Sequence, residues 1–393
     1  MKDAVYLEDL GVVCSLGRGR QSVWAAVRSA SGRGIRKGNV AGRELYLGAV
    51  PRELYGPEPR HPFNNRVNAI LTAALEEIHA TVGVAVVRYG AHRVAVLIGS
   101  CDNGSELSLE ALGQFTKTGA FPAGYSLECQ RADLPARFAA CFLGLSGPAI
   151  AYSTACASSA SAMASARNML LCGLCDAAVV GGADIVSAAV ALGFSALEAV
   201  SDEPCRPFSR NRKGITLGEG AAVFVMTRDN LLGRGIKLLG VGESGDAHHM
   251  TAPDPEGTGA ALAMERALSC AGIQAADVDY INLHGTGTLL NDAMEARALA
   301  KVFGDPVPAS STKSLTGHTL GAAGALELGI CWMALSDMNP GKILPPQIWD
   351  GQGDEDGPAV DIVTSGRAAG RLERCMSNSF AFGGCNASLV IGK

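Results

Sequence analysis

Apolar runs of strand length alternate with stretches of helical length along the whole chain. In the first half, strands are expected at Ala4–Val13, Val94–Gly99, Ala149–Ser153, Ala177–Gly182 and Ala221–Thr227. Helical patterns fall near Gln21–Ser29, Arg66–Ile78, Leu134–Leu143 and Ala157–Leu171. The second half repeats the order. Strands are expected near Leu238–Ser244, Tyr280–Leu283, Val307–Ser310, Cys375–Phe380 and Ala387–Ile391, and helices near Thr258–Ala271, Asp292–Phe303 and Thr319–Leu335. Both halves read βαβαβαββ, the alternation of an α/β protein. The third helix of each half is rich in small residues, at Ala157–Ala164 and Leu320–Leu326. Such a helix can pack closely between two other layers, so the pattern predicts a five-layer α/β/α/β/α body of two similar halves. The division falls near Asn230–Gly235, giving halves 1–232 and 233–393. Ser31–Pro62, Asp102–Ala132 and Ala183–Gly220 specify little and are expected to be insertions carrying surface or active-site loops.

The chain has 393 residues, of which 48% are hydrophobic, enough for a large core. A formal charge of −5 gives no general reason to expect nucleic acid. No initial basic-then-apolar segment and no membrane-spanning apolar run is evident, so a cytoplasmic protein with mostly reduced cysteines is expected.

The candidate chemistry centres on Cys156, between the strand near Ala149–Ser153 and the small-residue helix. A buried cysteine acting as a small apolar residue is the commoner situation. Here the thiol sits about one residue ahead of a helix, whose partial positive charge favours a thiolate. Two Gly-flanked histidines answer it, His284 in His284–Thr288 and His318 in Lys313–His318. Imidazole N–H groups aimed at one oxygen would stabilise an enolate. Asn291, Asp292 and Glu295 follow the first histidine. Lys313 is expected to form a buried pair with Glu327 that fixes the histidines electrostatically. Ser379–Asn386 places Phe380 and Phe382 before Gly383 and Gly384, which suggests a mobile flap whose backbone N–H joins that of Cys156 in an oxyanion hole; a strand turn with core phenylalanines is the other reading. A thiol to carry an acyl chain, with two groups for an enolate oxygen, is what carbon–carbon bond formation on thioesters requires. Three signals are set aside. Cys172 and Cys175 lack a second pair for zinc, His248–His249 lacks a partner at ligand spacing, and Gly218–Gly220 is a turn and not a phosphate loop.

Cys156 in its STACASS run, residues 206–220, His284–Asn291–Asp292, residues 311–327 and residues 377–386 resemble, in order, the β-ketoacyl-acyl-carrier-protein synthases, elongating Cys-His-His branch. The sequence is most similar within that family to the ketosynthases of aryl polyene clusters. The resemblance implies a thiolase-like fold and a decarboxylative Claisen condensation. Cys156 would take the acyl group from a carrier's phosphopantetheine thioester, and His284 and His318 would promote decarboxylation of the malonyl carrier. Lys313 with Glu327 would support the histidines, and Phe382 would gate the acyl pocket. Thr286, Thr288 and, more weakly, Thr251 would meet the pantetheine arm. Arg206, Arg210, Arg212 and Lys213 are the best basic patch for an acidic acyl carrier protein, with a solvated loop as the alternative. No cofactor and no catalytic metal is implied, although in some members the positions of Asn282, Glu327 and Ser377 hold a structural monovalent cation. A homodimer, or a heterodimer with a ketosynthase-like chain-length subunit, is expected.

The chain departs from the family in having Ala381 for the flap's usual first glycine and Cys385 for a threonine. Asp102 falls where an apolar acyl-pocket residue is common, and either enters that pocket or faces the surface. A thiolase or initiating synthase on the same fold is the alternative activity, and a chain-length-setting partner subunit the non-catalytic one. The histidine of Thr316–His318 argues against the first and Cys156 against the second.

Overall fold

The structure is a computed structural model describing residues 5–102, 104–355 and 357–393. Ala4, where the first strand was expected to begin, lies outside the described residues. The first half is built from β1 (Val5–Cys14), α1 (Arg66–Tyr89), β2 (Val94–Gly99), α2 (Leu134–Phe142), β3 (Ala149–Tyr152), α3 (Ser158–Leu171), β4 (Ala177–Asp184) and β5 (Gly220–Thr227). Its strands lie in the order β3-β2-β4-β5-β1. The second half follows with β6 (Lys237–Gly245), α4 (Thr258–Ala271), β7 (Tyr280–Asn282), α5 (Leu289–Phe303), β8 (Pro308–Ser310), α6 (Ala323–Leu335), β9 (Arg374–Phe380) and β10 (Cys385–Gly392). Its order is β8-β7-β9-β10-β6, the same winding. In each half the first three of these strands run parallel, and the last two pair antiparallel. The two sheets join edge to edge where Val5 meets Leu238 and Tyr6 meets Lys237.

Side-chain alternation separates the layers. In β2, Val94, Val96 and Ile98 pack with α1 and α2 on one outer face, while Ala95 and Leu97 face the middle layer. In the second sheet, Leu389 and Ile391 face the middle layer and Val390 packs with α4 and α5 on the other outer face. The middle layer is α3 and α6, which touch both sheets. All of α6 is buried, so its sequence has no polar stripe. The helices meet where only small residues fit: a Cβ on Gly324 would lie 2.9 Å from Ser379 Oγ and 3.0 Å from Ala160 Cβ.

Each central helix is preceded by a matching single 3-10 turn, Ala155–Ala157 before α3 and Leu320–Ala322 before α6. Each turn opens on a non-glycine residue in the left-handed region, Ala155 at φ 49° and Leu320 at φ 53°. Cys156 and Gly321 therefore occupy equivalent places in the two halves. That turn is also why the helix expected over Thr319–Leu335 is divided.

The weakly specified stretches hold more structure than a loop reading allows. A hairpin pairs Arg36–Val40 with Arg43–Gly48, and its second strand extends onto Leu217–Gly218. Helices span Ser105–Thr118 and Ala188–Ala196. The hairpin turns through Ala41 and Gly42, both at positive φ, without the Asn-Gly signal that would advertise it. The helix at Ser105–Thr118 leaves Leu109, Leu112 and Phe115 exposed, so burial within the chain does not organise its apolar positions.

Replacing Gly324 with valine forces the central helices apart at their closest approach. A loss of about 3 kcal/mol is expected, as for overpacked cores, read as a lower urea midpoint. An unchanged midpoint would show that the crossing is loose.

Candidate active site

Cys156 sits on the Ala155–Ala157 turn with its sulfur 3.0 Å from His318 Nε2. The turn is closed by Ser158, whose Oγ accepts from Thr154 N at 2.9 Å and donates to Ala155 O at 2.6 Å. Phe382 of the flap lines the same cavity as the sulfur. His284 follows β7, and its ring stands nearly perpendicular to that of His318, centroids 5.3 Å apart at 85°. Ligating atoms of Cys156, His284 and His318 lie within 4.8 Å of one another. All three side chains are buried, and together they line a cavity of about 330 Å³.

The supporting residues act through backbone. Glu295 accepts from His284 N at 2.9 Å and from Gly285 N at 2.8 Å. Asp292 accepts from Gly287 N and, at 2.8 Å, from Phe208 N. His318 is held by strand-like pairing, its N–H on Thr216 O at 2.7 Å and its carbonyl on Gly218 N at 2.8 Å. Lys313 is buried, forms a short ion pair with Glu327, and lies 3.4 Å from His284 Nδ1. An ammonium group only donates, so Nδ1 is the acceptor and the proton of neutral His284 resides on Nε2. His318 Nδ1 has no partner among the described residues, so nothing fixes its tautomer.

Burial, with the Lys313 charge adding to it, holds both histidines well below the usual imidazole range. They are neutral at physiological pH. Burial raises Glu327 and Glu295 to about 7, against the opposing Lys313 in the first case and the Gly285 and His284 N–H groups in the second. The thiol departs from the thiolate expected at a helix start. Burial pushes Cys156 up to about 12, outweighing Lys313 and the Phe382 N–H, so the resting sulfur keeps its proton.

Thr251, Thr286, Thr288, Phe380 and Phe382 all line the cavity, with the Thr286 and Thr288 hydroxyls 3.0 Å apart. Asp102 does not. It is buried, and its carboxylate accepts from Ser105 N at 2.9 Å and Ser105 Oγ at 2.8 Å. Neither the pocket reading nor the surface reading of Asp102 describes it. The basic patch also needs correction. Arg212 is buried and donates to Ser209 O, Thr288 O, Leu289 O and Asp354, so it braces the loop and is closed to a carrier. Arg206 pairs with Glu203, Arg210 with Glu355, and Lys213 with Glu203 and Asp202. The loop is a mesh of opposite charges and not a bare cationic surface.

Other features had no local signal in sequence. Phe194, on the helix Ala188–Ala196, packs against Phe382 with centroids 5.6 Å apart and the rings tilted by 30°. Leu289 and Leu290, which also line the cavity, remain exposed. The flap is pinned by Gly383 N to Met250 O at 2.8 Å, and Asp246 N donates to Gly384 O at 2.9 Å. Asn282 Oδ1, Ser377 Oγ and Glu327 Oε2 are buried without hydrogen-bond partners among the described residues, and Asn282 and Ser377 are register partners across β7 and β9. Unpartnered buried oxygens call for a partner, and these are of the type that a monovalent cation accepts as ligands.

Sequence models of the β-ketoacyl synthase N-terminal and C-terminal domains match residues 54–231 and 236–348. The chain is 33% identical to nodulation protein E of Rhizobium meliloti over 99% of both chains. It is 37% identical to 3-oxoacyl-[acyl-carrier-protein] synthase 2 of Vibrio harveyi, over 79% of this chain and 78% of that one. The solved ketosynthase ApeO of Xenorhabdus doucetiae, in complex with its chain length factor ApeC, is 40% identical and superposes with a TM-score of 0.90, covering 99% of this chain and 98% of that one. With a buried thiol and two neutral histidines meeting where the halves of a doubled α/β body converge, the chain belongs to the β-ketoacyl synthase family.

Proposed function

We propose that this protein is an elongating β-ketoacyl-acyl-carrier-protein synthase, and that it joins a Cys156-bound acyl chain to a malonyl unit with loss of CO₂. The observation that carries the reading is the 3.0 Å contact between Cys156 Sγ and His318 Nε2, with His284 in the same cavity. In acyl loading the sulfur attacks the carrier thioester. Its proton passes to His318 Nε2 and then to the departing pantetheine sulfur, and the Cys156 and Phe382 N–H groups stabilise the oxyanion. In condensation His284 Nε2–H, its tautomer set by Lys313, donates to the malonyl thioester oxygen as charge develops on decarboxylation. His318, free to carry its proton on Nε2, donates beside it. The enolate carbon then attacks the acyl thioester, and the electron pair returns to the Cys156 sulfur. Asn282, Ser377 and Glu327 would hold a monovalent cation, which would supply a partner for their otherwise unbonded oxygens. The Thr286 and Thr288 hydroxyls sit where they would meet the pantetheine arm. A thiolase reading needs a second thiol, and Cys385 is absent from the cavity lining.

The partners on this reading are an acyl carrier protein and a second ketosynthase-like subunit, as the ApeO–ApeC complex suggests. In support, β3 ends its sheet with one edge open, and Ile150 on that strand is exposed. A cytoplasmic setting is part of the same proposal. The acyl chain remains a fatty-acid-like, polyketide or aryl polyene chain. The aryl polyene placement rests on sequence resemblance, and Asp102 lends it no support.

Cys156→Ala is expected to abolish the acyl-enzyme mass shift while malonyl-carrier decarboxylation persists. His284→Ala is expected to load acyl groups yet release little CO₂. Acyl loading by Cys156→Ala would remove the nucleophile assignment. Because burial holds the thiol near 12, iodoacetamide labelling of Cys156 should keep rising from pH 7 to 10 without levelling. Lys313→Met removes a charge that favours the thiolate and should slow labelling at pH 8 by about tenfold, the equivalent of one pKa unit. A plateau below pH 9 would show a thiolate already formed. Sedimentation should give a dimer, alone or with a paralogue, of about twice the 40.4 kDa chain; an active monomer would contradict it.

A further inference from the structure

Asp184, the last residue of β4, is fully buried and has no part in the chemistry above. Its Oδ1 accepts from Ser100 Oγ at 2.8 Å and from Asp102 N at 2.9 Å. Cys101 N lies 3.0 Å from Oδ1 and 2.9 Å from Oδ2. Oδ2 also accepts from Gly321 N at 2.6 Å. These donors come from the two halves of the protein, and both lead to the reactive pair. Cys101 Sγ donates to Ala155 O at 3.1 Å, and Ala155 immediately precedes Cys156. Gly321 lies three residues beyond His318, behind the strained Leu320. The pairing to Thr216 and Gly218 holds His318 itself. Asp184 holds the chain where it leaves His318, together with the turn beneath Cys156.

We propose that Asp184 is a positioning residue: by joining Ser100–Asp102 to Gly321, its carboxylate sets the separation of Cys156 Sγ and His318 Nε2. Glycine at 321 is what lets the carboxylate come so close, since a Cβ there would lie 2.6 Å from Asp184 Oδ2 and 3.1 Å from Cys101 Sγ. Asparagine at 184 keeps the shape but turns an NH₂ group toward N–H donors, so part of the clamp opens. The proposal rests on the roles given to Cys156 and His318. Its test reads the thiol directly, so a failure of the condensation reading would be seen separately, as absent product with the thiol response intact.

The test is a double-mutant cycle on iodoacetamide labelling of Cys156, followed by peptide mass spectrometry in wild type, Asp184→Asn, His318→Ala and the double variant. Exposed Cys141 serves as an internal control. Labelling is done at pH 8, above the value of about 7 to which burial raises the Asp184 carboxyl, so that the carboxylate is ionised in wild type. Each single substitution is expected to slow Cys156 labelling by roughly tenfold, and the double variant to be no slower than His318→Ala within about twofold, because both act on one contact. Cys141 labelling should be unchanged. The same slowing in both backgrounds would reduce Asp184 to a general structural role, and a wild-type rate in folded Asp184→Asn would remove it altogether. If Asp184→Asn does not fold, Ser100→Ala takes its place, deleting one of the bonds. It should slow labelling about two- to threefold in wild type and not at all in His318→Ala; a wild-type rate overturns the proposal.

Discussion

The close approach of the two central helices is the constraint from which the rest follows. With Ala160 and Gly324 at the crossing, α3 and α6 come near enough for the turns at their starts to share one site. Cys156 belongs to the first turn, and His318 to the strand-like segment leading into the second. Their 3.0 Å contact is therefore a property of helix packing before it is a property of side chains. Larger residues at the crossing would move both ends of that contact. The sheets cooperate, since matching winding directs both strand-to-helix connections at the same central point.

Packing this close creates an electrostatic problem, because the ionisable groups of the site are buried. Lys313 and Glu327 are both buried, and either alone would be an uncompensated charge costing several kcal/mol. Paired, they compensate each other, while burial and the nearby Lys313 charge keep the histidines neutral. Neutral imidazoles suit a site whose negative charge develops only during reaction, since donors that are fixed but uncharged favour the enolate over the ground state. Burial also keeps the sulfur protonated. A base at hydrogen-bonding distance then matters more than the helix dipole that the sequence alone brings to mind.

The alternation of strands and helices, the doubling and the reactive residues were legible because each had a local signature. Cys156 lies at a strand-to-helix junction, His284 and His318 have glycine neighbours, and the central helices are marked by runs of alanine, serine and glycine. What stayed hidden depended on distant partners. Four basic residues within Arg206–Lys213 suggest a docking patch, but Asp350, Glu355 and Asp354 fold back against the three arginines, and Asp202 and Glu203 pair with Lys213. Asp102 closely follows β2, yet its carboxylate is taken by Ser105 three residues on. Phe194 lies in a stretch with no clear periodicity, on a helix that is mostly exposed along one side.

Gly321 shows what doubling a fold does and does not duplicate. It stands where Cys156 stands in the other half, behind the same left-handed residue and ahead of the same kind of helix. A side chain there would run into Asp184. The second elbow is thus sealed against acquiring a nucleophile of its own. The architecture is doubled but the reactive centre is not, and the sister position serves instead as a fixed point on which that centre is aligned.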